Sequence, residues 1–241
     1  MTARVWRDGD QIRKRVSDET SARRLVSRTD ALRAGDVPTP QAWFDTRDGT
    51  LVFQLIEGTA GLVLVKNRGV PVLADLLRPL LALHRVVLDG LHPFDPAAKI
   101  LSRLTSEDPA ELREDLKVFV AALPDLSRGT AVHGDFHAGQ LIQDTTGTVW
   151  MLDLEDLATG APESDLGNFA AHLATRPETR WGEIGQGFEH WLGHTLEAYR
   201  RIGGIADASL ASTHGRIALI RRAVKLRERG DRLILTELAG R

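Results

Sequence analysis

The sequence predicts an α+β protein in two lobes: a short N-terminal lobe of antiparallel strands with one helix, and a larger, mainly helical C-terminal lobe. Three observations predict this. Residues 1–57 break into short runs of strand-forming residues around one helical stretch, with Asp-Gly pairs at the turns. From residue 70 onward, apolar residues recur at helical spacing. Among those helical patterns lies one strand–loop–strand–turn–strand segment, residues 131–153, whose loop is dense in polar groups.

Taken in order, residues 3–6 and 11–16 read as two strands joined at Arg7-Asp8-Gly9-Asp10, a hairpin signal. Asp18 or Ser17 caps a helix over 19–34. Leu25, Val26, Thr29 and Leu32 mark its apolar face, and Gly35 ends it. Val37-Pro38-Thr39-Pro40 is a rigid connector, because proline fixes φ. Residues 42–44 and 50–56 form another strand pair with Asp48-Gly49 at the turn. The leucines at 73, 76, 77, 80, 81 and 83 make 70–87 a helix with a broad apolar face. Residues 97–104 and 109–123 are further helices. The second carries Glu111, Glu114 and Asp115 in its first turns, where the helix dipole favours acids, and Pro124-Asp125 stops it.

Beyond residue 153, a helix starts near Glu163 or Ser164 and runs to Thr175. Another covers 182–202, with Phe188, Trp191, Leu192 and Leu196 facing inward, and Gly203-Gly204 breaks it. Residues 209–229 read as a strongly amphipathic helix. Its basic face holds Arg221, Arg222, Lys225, Arg227 and Arg229, and reads as a solvated surface or an oligomer contact. No aromatic residues interleave with these bases, which argues against a nucleic-acid site. A short segment, 233–238, closes the chain.

Composition excludes several classes. A net charge of −2 gives no global field for nucleic acid or a membrane surface. The absence of cysteine removes disulfide and thiolate chemistry and fits a cytoplasmic protein. The N-terminus is too polar for a signal peptide, and no apolar run approaches the roughly 20 residues a membrane helix needs.

The chemistry sits in His133-Gly134-Asp135-Phe136-His137-Ala138-Gly139-Gln140, followed by the apolar run Val149-Trp150-Met151-Leu152 that ends in Asp153. This order brings Asp135, Gln140 and Asp153 toward one point. Two carboxylates and an amide oxygen are hard ligands suited to magnesium, which fills its other positions with water and phosphate. His133, Asp135 and Gln140 also fall at the spacing of the kinase catalytic loop H-R-D-x-x-x-x-N, with Asp153 as the later metal-binding acid. A zinc pair at His133 and His137 is set aside, because Gly134 and Gly139 argue for a loop and that motif needs a helix. Asp144 reads as an exposed turn residue.

Residues 133–169 resemble the aminoglycoside phosphotransferase-like family of small-molecule kinases. The family pattern is H-G-D-x-H-x-x-N, an apolar strand ending in Asp, then G-x-P-x-x-D-L. Gly160, Pro162, Asp165 and Leu166 match its last part. Gln140 stands where most of the family has Asn, as in maltokinase-like members; it keeps the amide oxygen and adds a methylene.

The resemblance implies a bilobal, protein-kinase-like fold. Residues 1–57 would be a truncated nucleotide-binding lobe with its hinge near 54–58. Residues 58–241 would hold the catalytic loop (133–140), the metal-binding segment (149–157) and substrate-binding helices. It implies ATP and Mg2+, with Asp135 accepting or orienting the acceptor proton and His133 packed beneath the loop. Gln140 and Asp153 would hold the metal. Lys14 matches the phosphate-binding lysine, with Glu19 or Asp30 as its partner, and no G-x-G-x-x-G is present. The Gln54 carbonyl and Ile56 amide would face adenine, Asp165 would take backbone amides of the loop, and His84 would be structural. Glu155 and Asp156 either line the substrate mouth or are solvated. Lining it with Glu163, they would favour a cationic or polyhydroxy substrate.

The implied activity is phosphoryl transfer to a hydroxyl of a small molecule, an aminoglycoside-like antibiotic or a sugar, with antibiotic resistance as one role. Two alternatives stay open. One is a catalytically weak or inactive pseudokinase that binds a nucleotide or a partner. The other is a kinase completed only as a homo-oligomer.

Overall fold

The computed structural model describes residues 5–16, 18–101, 114, 117–118, 120–121, 129–176 and 187–227. Several expectations lie outside these residues: the strand start at 3–4, Ser17 as cap, most of the helix over 109–123 with its Pro124-Asp125 stop, the extension to 102–104, the start of the 182–202 helix, residues 228–229, and 233–238.

The two N-terminal strand pairs form one antiparallel sheet of β1 (Val5–Asp8), β2 (Gln11–Arg15), β3 (Ala42–Asp45) and β4 (Thr50–Gln54), in the order β1-β2-β4-β3. They merge because β2 pairs with β4, with Lys14 opposite Leu51. The first turn is tighter than expected. Asp8 pairs with Gln11, so only Gly9 and Asp10 turn the chain, and Arg7 and Asp8 belong to β1. Helix α1 (Glu19–Ala34) is capped by Asp18, whose carboxylate accepts from Thr20 N and Ser21 N at 3.0 and 3.1 Å. Those bonds hold the Asp18 carboxyl below its usual range, the Ser21 side chain contributing most. The helix buries Ala22, Leu25, Thr29 and Leu32, a 3–4 residue spacing.

The crossing between lobes follows β4. Strand β5 (Thr59–Ala60) no longer pairs in the N-terminal sheet; it joins β7 (Leu141–Gln143) and β8 (Val149–Met151) in the order β5-β7-β8. The proline connector ties the lobes a second time, since Met151 N donates to Pro38 O at 2.8 Å. Helix α2 (Gly61–Arg68) had no counterpart in the sequence reading. No side chain caps its N-terminus, and Leu62-Val63-Leu64-Val65 reads locally as a strand. The helix expected over 70–87 is a 3₁₀ turn at Val70–Val72, containing Pro71, followed by α3 (Leu73–Arg85).

A short turn, α4 (Ala98–Leu101), precedes β6 (Thr130–Val132). Strand β6 does not continue into the β7–β8 hairpin. It pairs with β9 (Ala158–Gly160), so the loop between β6 and β7 is gripped between two small sheets. Three helices complete the C-terminal lobe: α5 (Pro162–Ala174), α6 (Phe188–Arg201) and α7 (Ala208–Arg227). One continuous apolar core takes in Leu25 and Leu51 of the N-terminal lobe and Leu76, Phe136, Phe169 and Trp191 of the C-terminal lobe. Burying side chains of this size contributes about 1.5–3 kcal/mol each.

Helix α7 is not the amphipathic surface helix that its sequence suggested. Ile217, Ala218, Leu219 and Ile220 are all buried in succession. It lies backbone to backbone against α5: a Cβ on Gly167 would sit 2.5 Å from both Ala211 O and Gly215 N. That close approach brings the basic end of α7 to the loop between β6 and β7.

Candidate active site

The loop between β6 and β7 is held from beneath by one carboxylate. Asp165, on the first turns of α5, accepts from His133 N at 2.7 Å and Gly134 N at 3.0 Å. His84, at the end of α3, meets the same carboxylate through Nε2 at 3.2 Å and the Tyr199 hydroxyl through Nδ1 at 2.7 Å. Burial pushes the Tyr199 phenol well above its usual pKa, with Asp165 and Glu163 adding to the effect. The phenol therefore keeps its proton and donates to Nδ1, which leaves Nε2–H to donate to Asp165. His84, Asp165 and Tyr199 are all buried. Asp165 was expected to take backbone amides of this loop, and the two bonds lie at His133 N and Gly134 N; His84 lies buried between Asp165 and Tyr199.

His133 is fully buried; its Nε2 donates to Leu152 O at 2.9 Å. The turn at Gly134 has φ +79, and a Cβ there would lie 2.4 Å from Asp156 O, so glycine is required. Phe136 stacks on Phe169 of α5 with centroids 5.4 Å apart. Asp135 thus projects from a loop whose other residues are pinned.

At the far end of the loop, Gln140 Nε2 donates to Asp153 Oδ2 at 2.9 Å. The backbone sets this meeting: Leu152 N donates to Gln140 O at 2.9 Å. Asp153 has φ 59, a left-handed conformation that aspartate tolerates better than most residues. Its side chain is thereby turned toward Gln140 instead of continuing the strand. The pair offers a carboxylate and an amide oxygen, both hard donors. Among the described residues, no group of three or more His, Cys, Asp or Glu converges to hold an ion on its own. The donor set therefore fits a metal that takes its remaining ligands from phosphate and water.

Lys14 pairs with Glu155, just after Asp153. This corrects the expected partners. Glu19 pairs along the helix with Arg23, and Asp30 lies exposed on α1. Both are carried on the helix, whereas the 3₁₀ turn Leu154–Asp156 delivers Glu155 directly beneath β2. Glu155 is thus committed to the lobe contact, and Asp156 contributes its backbone carbonyl beside Gly134. Glu163 is buried and accepts from Asp207 N at 2.7 Å, joining α5 to the start of α7. Asp144 is half-buried, not exposed. It accepts from Thr146, from Thr148 N and from Trp150 Nε1, and so organises the β7–β8 turn. At the lobe crossing, Gln54 ends β4 with an exposed side chain, and Ile56 is buried.

Beside Asp135 lies a group the sequence reading missed. Arg221 Nη2 donates to Asp135 Oδ1 at 2.5 Å and to Asn168 Oδ1 at 2.7 Å. Asn168 in turn donates to Phe136 O at 2.8 Å. Arg221 is therefore a partly buried contact of Asp135 and not part of a solvated basic face. A signal was available. His214, Ile217, Ala218, Arg221 and Val224 fall on one stripe of α7, so an arginine there needed a buried partner. Nearby, His137 stacks on His172 with centroids 3.9 Å apart, and Arg176 donates to His172 Nε2 at 3.1 Å. Burial pushes the His137 pKa down to about 4; Asp135 opposes this, while His133, Arg176 and Arg222 add to it.

The model of the phosphotransferase enzyme family (APH) matches residues 4–205, and the chain belongs to that family, whose members act as small-molecule kinases. The structure is similar to a choline/ethanolamine kinase family protein from Mesorhizobium loti (TM-score 0.65, 17% identity, covering 100% of this chain and 82% of that one). It is similar to choline kinase LicA from Streptococcus pneumoniae (TM-score 0.65, 16% identity, covering 99% and 90%). It is also similar to aminoglycoside phosphotransferase APH(3'')-Id from Streptomyces rimosus in complex with ADP and streptomycin (TM-score 0.63, 20% identity, covering 90% and 87%). These establish the protein-kinase-like fold. No curated protein sequence matches the chain. No helix among the described residues is long and apolar enough to cross a membrane.

Proposed function

We propose that the protein is an ATP-dependent kinase that transfers the γ-phosphoryl group to a hydroxyl of a small molecule. The observation that carries this reading is the pinned loop. Asp135 projects from a loop fixed by Asp165 on one side, and the meeting of Gln140 with Asp153 lies on the other. In the reaction, the acceptor oxygen bonds to the γ-phosphorus and the bond to the β–γ bridging oxygen breaks. ADP leaves, and the acceptor proton passes to Asp135 and then to solvent. Such a transition state needs little covalent help, so positioning and charge neutralisation carry most of the catalysis.

Gln140 and Asp153 are the residues that would hold magnesium, which when bound neutralises phosphate charge. Lys14 would meet the phosphates, with Glu155 orienting its ammonium. Adenine would lie at the lobe crossing against the Gln54 carbonyl and the Ile56 amide. A cytoplasmic location follows from the need for ATP. The relative solved with ADP and streptomycin supports a nucleotide and a hydroxylated small molecule sharing the cleft.

The test is ADP release from ATP and magnesium across a panel of sugars, polyols and hydroxylated antibiotics, with Asp135→Asn as control. Acceptor-dependent ADP release that the variant loses supports the proposal. Magnesium-dependent ATP binding with no turnover of any acceptor would replace it with the pseudokinase reading.

A further inference from the structure

The groups around Asp135 carry charge opposite to that expected for a polycationic acceptor. Two of the three acids expected at the mouth are engaged elsewhere: Glu155 with Lys14, and Glu163 with the backbone of Asp207. Among the side chains that bond Asp135 are Arg221 and the neutral amide of Asn168. Arg221 holds its carboxylate directly, and Arg176 and Arg222 act electrostatically on neighbouring His137. Arg222 itself bonds Thr175 at the end of α5.

A second observation is independent of these charges. Arg221 lines a narrow cavity with Gly134, Ser164, Asn168, His214 and Ile217, of about 20 Å³. That is room for about one water, the size of a single carboxylate or phosphate oxygen. His214 is buried, and its Nε2 has no hydrogen-bond partner among the described residues. Burial lowers its pKa to about 4, with Asp165 opposing, so near neutral pH the ring is uncharged, and its Nε2–H tautomer has one hydrogen bond to donate. A guanidinium and that tautomer's N–H around one oxygen-sized space, beside the proposed phosphoryl acceptor position, suit an anion.

We infer that the acceptor is a hydroxyl compound bearing a carboxylate or phosphate near the reacting hydroxyl, and that Arg221, aided by His214, selects it. The inference rests on the kinase reading. As the acceptor enters, its anionic group takes over the Arg221 guanidinium, which frees Asp135 Oδ1 for the hydroxyl proton. The bonds made and broken are those of the phosphoryl transfer above. A cationic acceptor would instead meet Arg221 as a like charge.

The experiment uses two size-matched series that differ in charge: glucuronate, glucose and glucosamine; and glycerate, glycerol and 2-aminopropane-1,3-diol. Each compound is assayed for ADP release and for thermal stabilisation of the full chain with magnesium and ADP. The anionic member of at least one series should bind at least about tenfold better than its neutral and cationic counterparts. Arg221→Gln should raise KM for that member far more than it lowers kcat and erase the charge preference, and Arg221→Lys should restore part of it. His214→Leu should weaken the same member several-fold. A preference for the cationic member, a preference that survives Arg221→Gln, or no response to any anionic member would each overturn the inference. Magnesium·ATP stabilisation of the wild type separates the two proposals. If it persists through such a failure, the kinase reading stands; if it is absent, both fall together.

Discussion

The catalytic loop is held differently on its two sides. Beneath it, Asp165 and His84 have side chains only 1% and 3% exposed, and every bond runs between buried groups. Above it, the Lys14–Glu155 contact that links β2 to the turn after Asp153 is 20% and 43% exposed. Water competes for the second contact and not for the first. The floor can therefore fix Asp135 in one position, while the lobe contact stays partly open to solvent. The difference teaches where rigidity is placed: under Asp135, not across the cleft.

Four variants or conditions sharpen this contrast, from the largest effect to the smallest. Asp135→Ala should reduce turnover by about 10²–10⁴-fold, the usual contribution of a positioned acid or base, and leave nucleotide binding unaltered in calorimetry. Asp165→Ala should remove a buried partner of two amides and of His84 and cost about 3–5 kcal/mol in denaturant unfolding. A loss below about 1 kcal/mol would show that the floor is not rigid.

The third concerns pH. His137 and His214 have folded pKa values of about 4, below their ordinary 6.5. Between pH 6.5 and 4 the unfolded chain binds protons that the folded chain does not. Their contribution is thus present above pH 6.5 and is lost as pH falls toward 4, by up to about 1.4 kcal/mol per pH unit for each histidine. His214→Leu should flatten that slope in unfolding measured at pH 7 and pH 5. The smallest effect belongs to Lys14→Ala. It should change unfolding stability by no more than about 1 kcal/mol, because the pair is exposed, while weakening nucleotide binding. A large stability loss with unchanged nucleotide affinity would make the pair structural and erase the contrast.

The floor was legible in the sequence because its residues lie in one short stretch. His133, Gly134, Asp135, Gln140, Asp153 and Asp165 sit within 33 positions, and chain geometry alone brings them together. The helices were legible from leucine periodicity, α1 and α3 above all. What stayed hidden depended on distant pairing. Lys14 is bound by a residue 141 positions away, so nearby acids looked like better partners. Arg221 lies 86 positions from Asp135, and its place on a buried stripe was masked by the bases around it. Helix α2 was missed for a local reason: its leucine–valine run has strand propensity, and tertiary packing of Leu64 and Val65 overrides it.

The most direct test of the account is ATP binding with and without magnesium, in wild type and in Asp153→Ala, by calorimetry. On the proposed function, in which the carboxylate beside Gln140 anchors the metal, magnesium should strengthen ATP binding to the wild type by at least about tenfold and make no difference to Asp153→Ala. Equal magnesium dependence in both proteins would contradict the account, because the metal would then be held without the segment around which the active site is built.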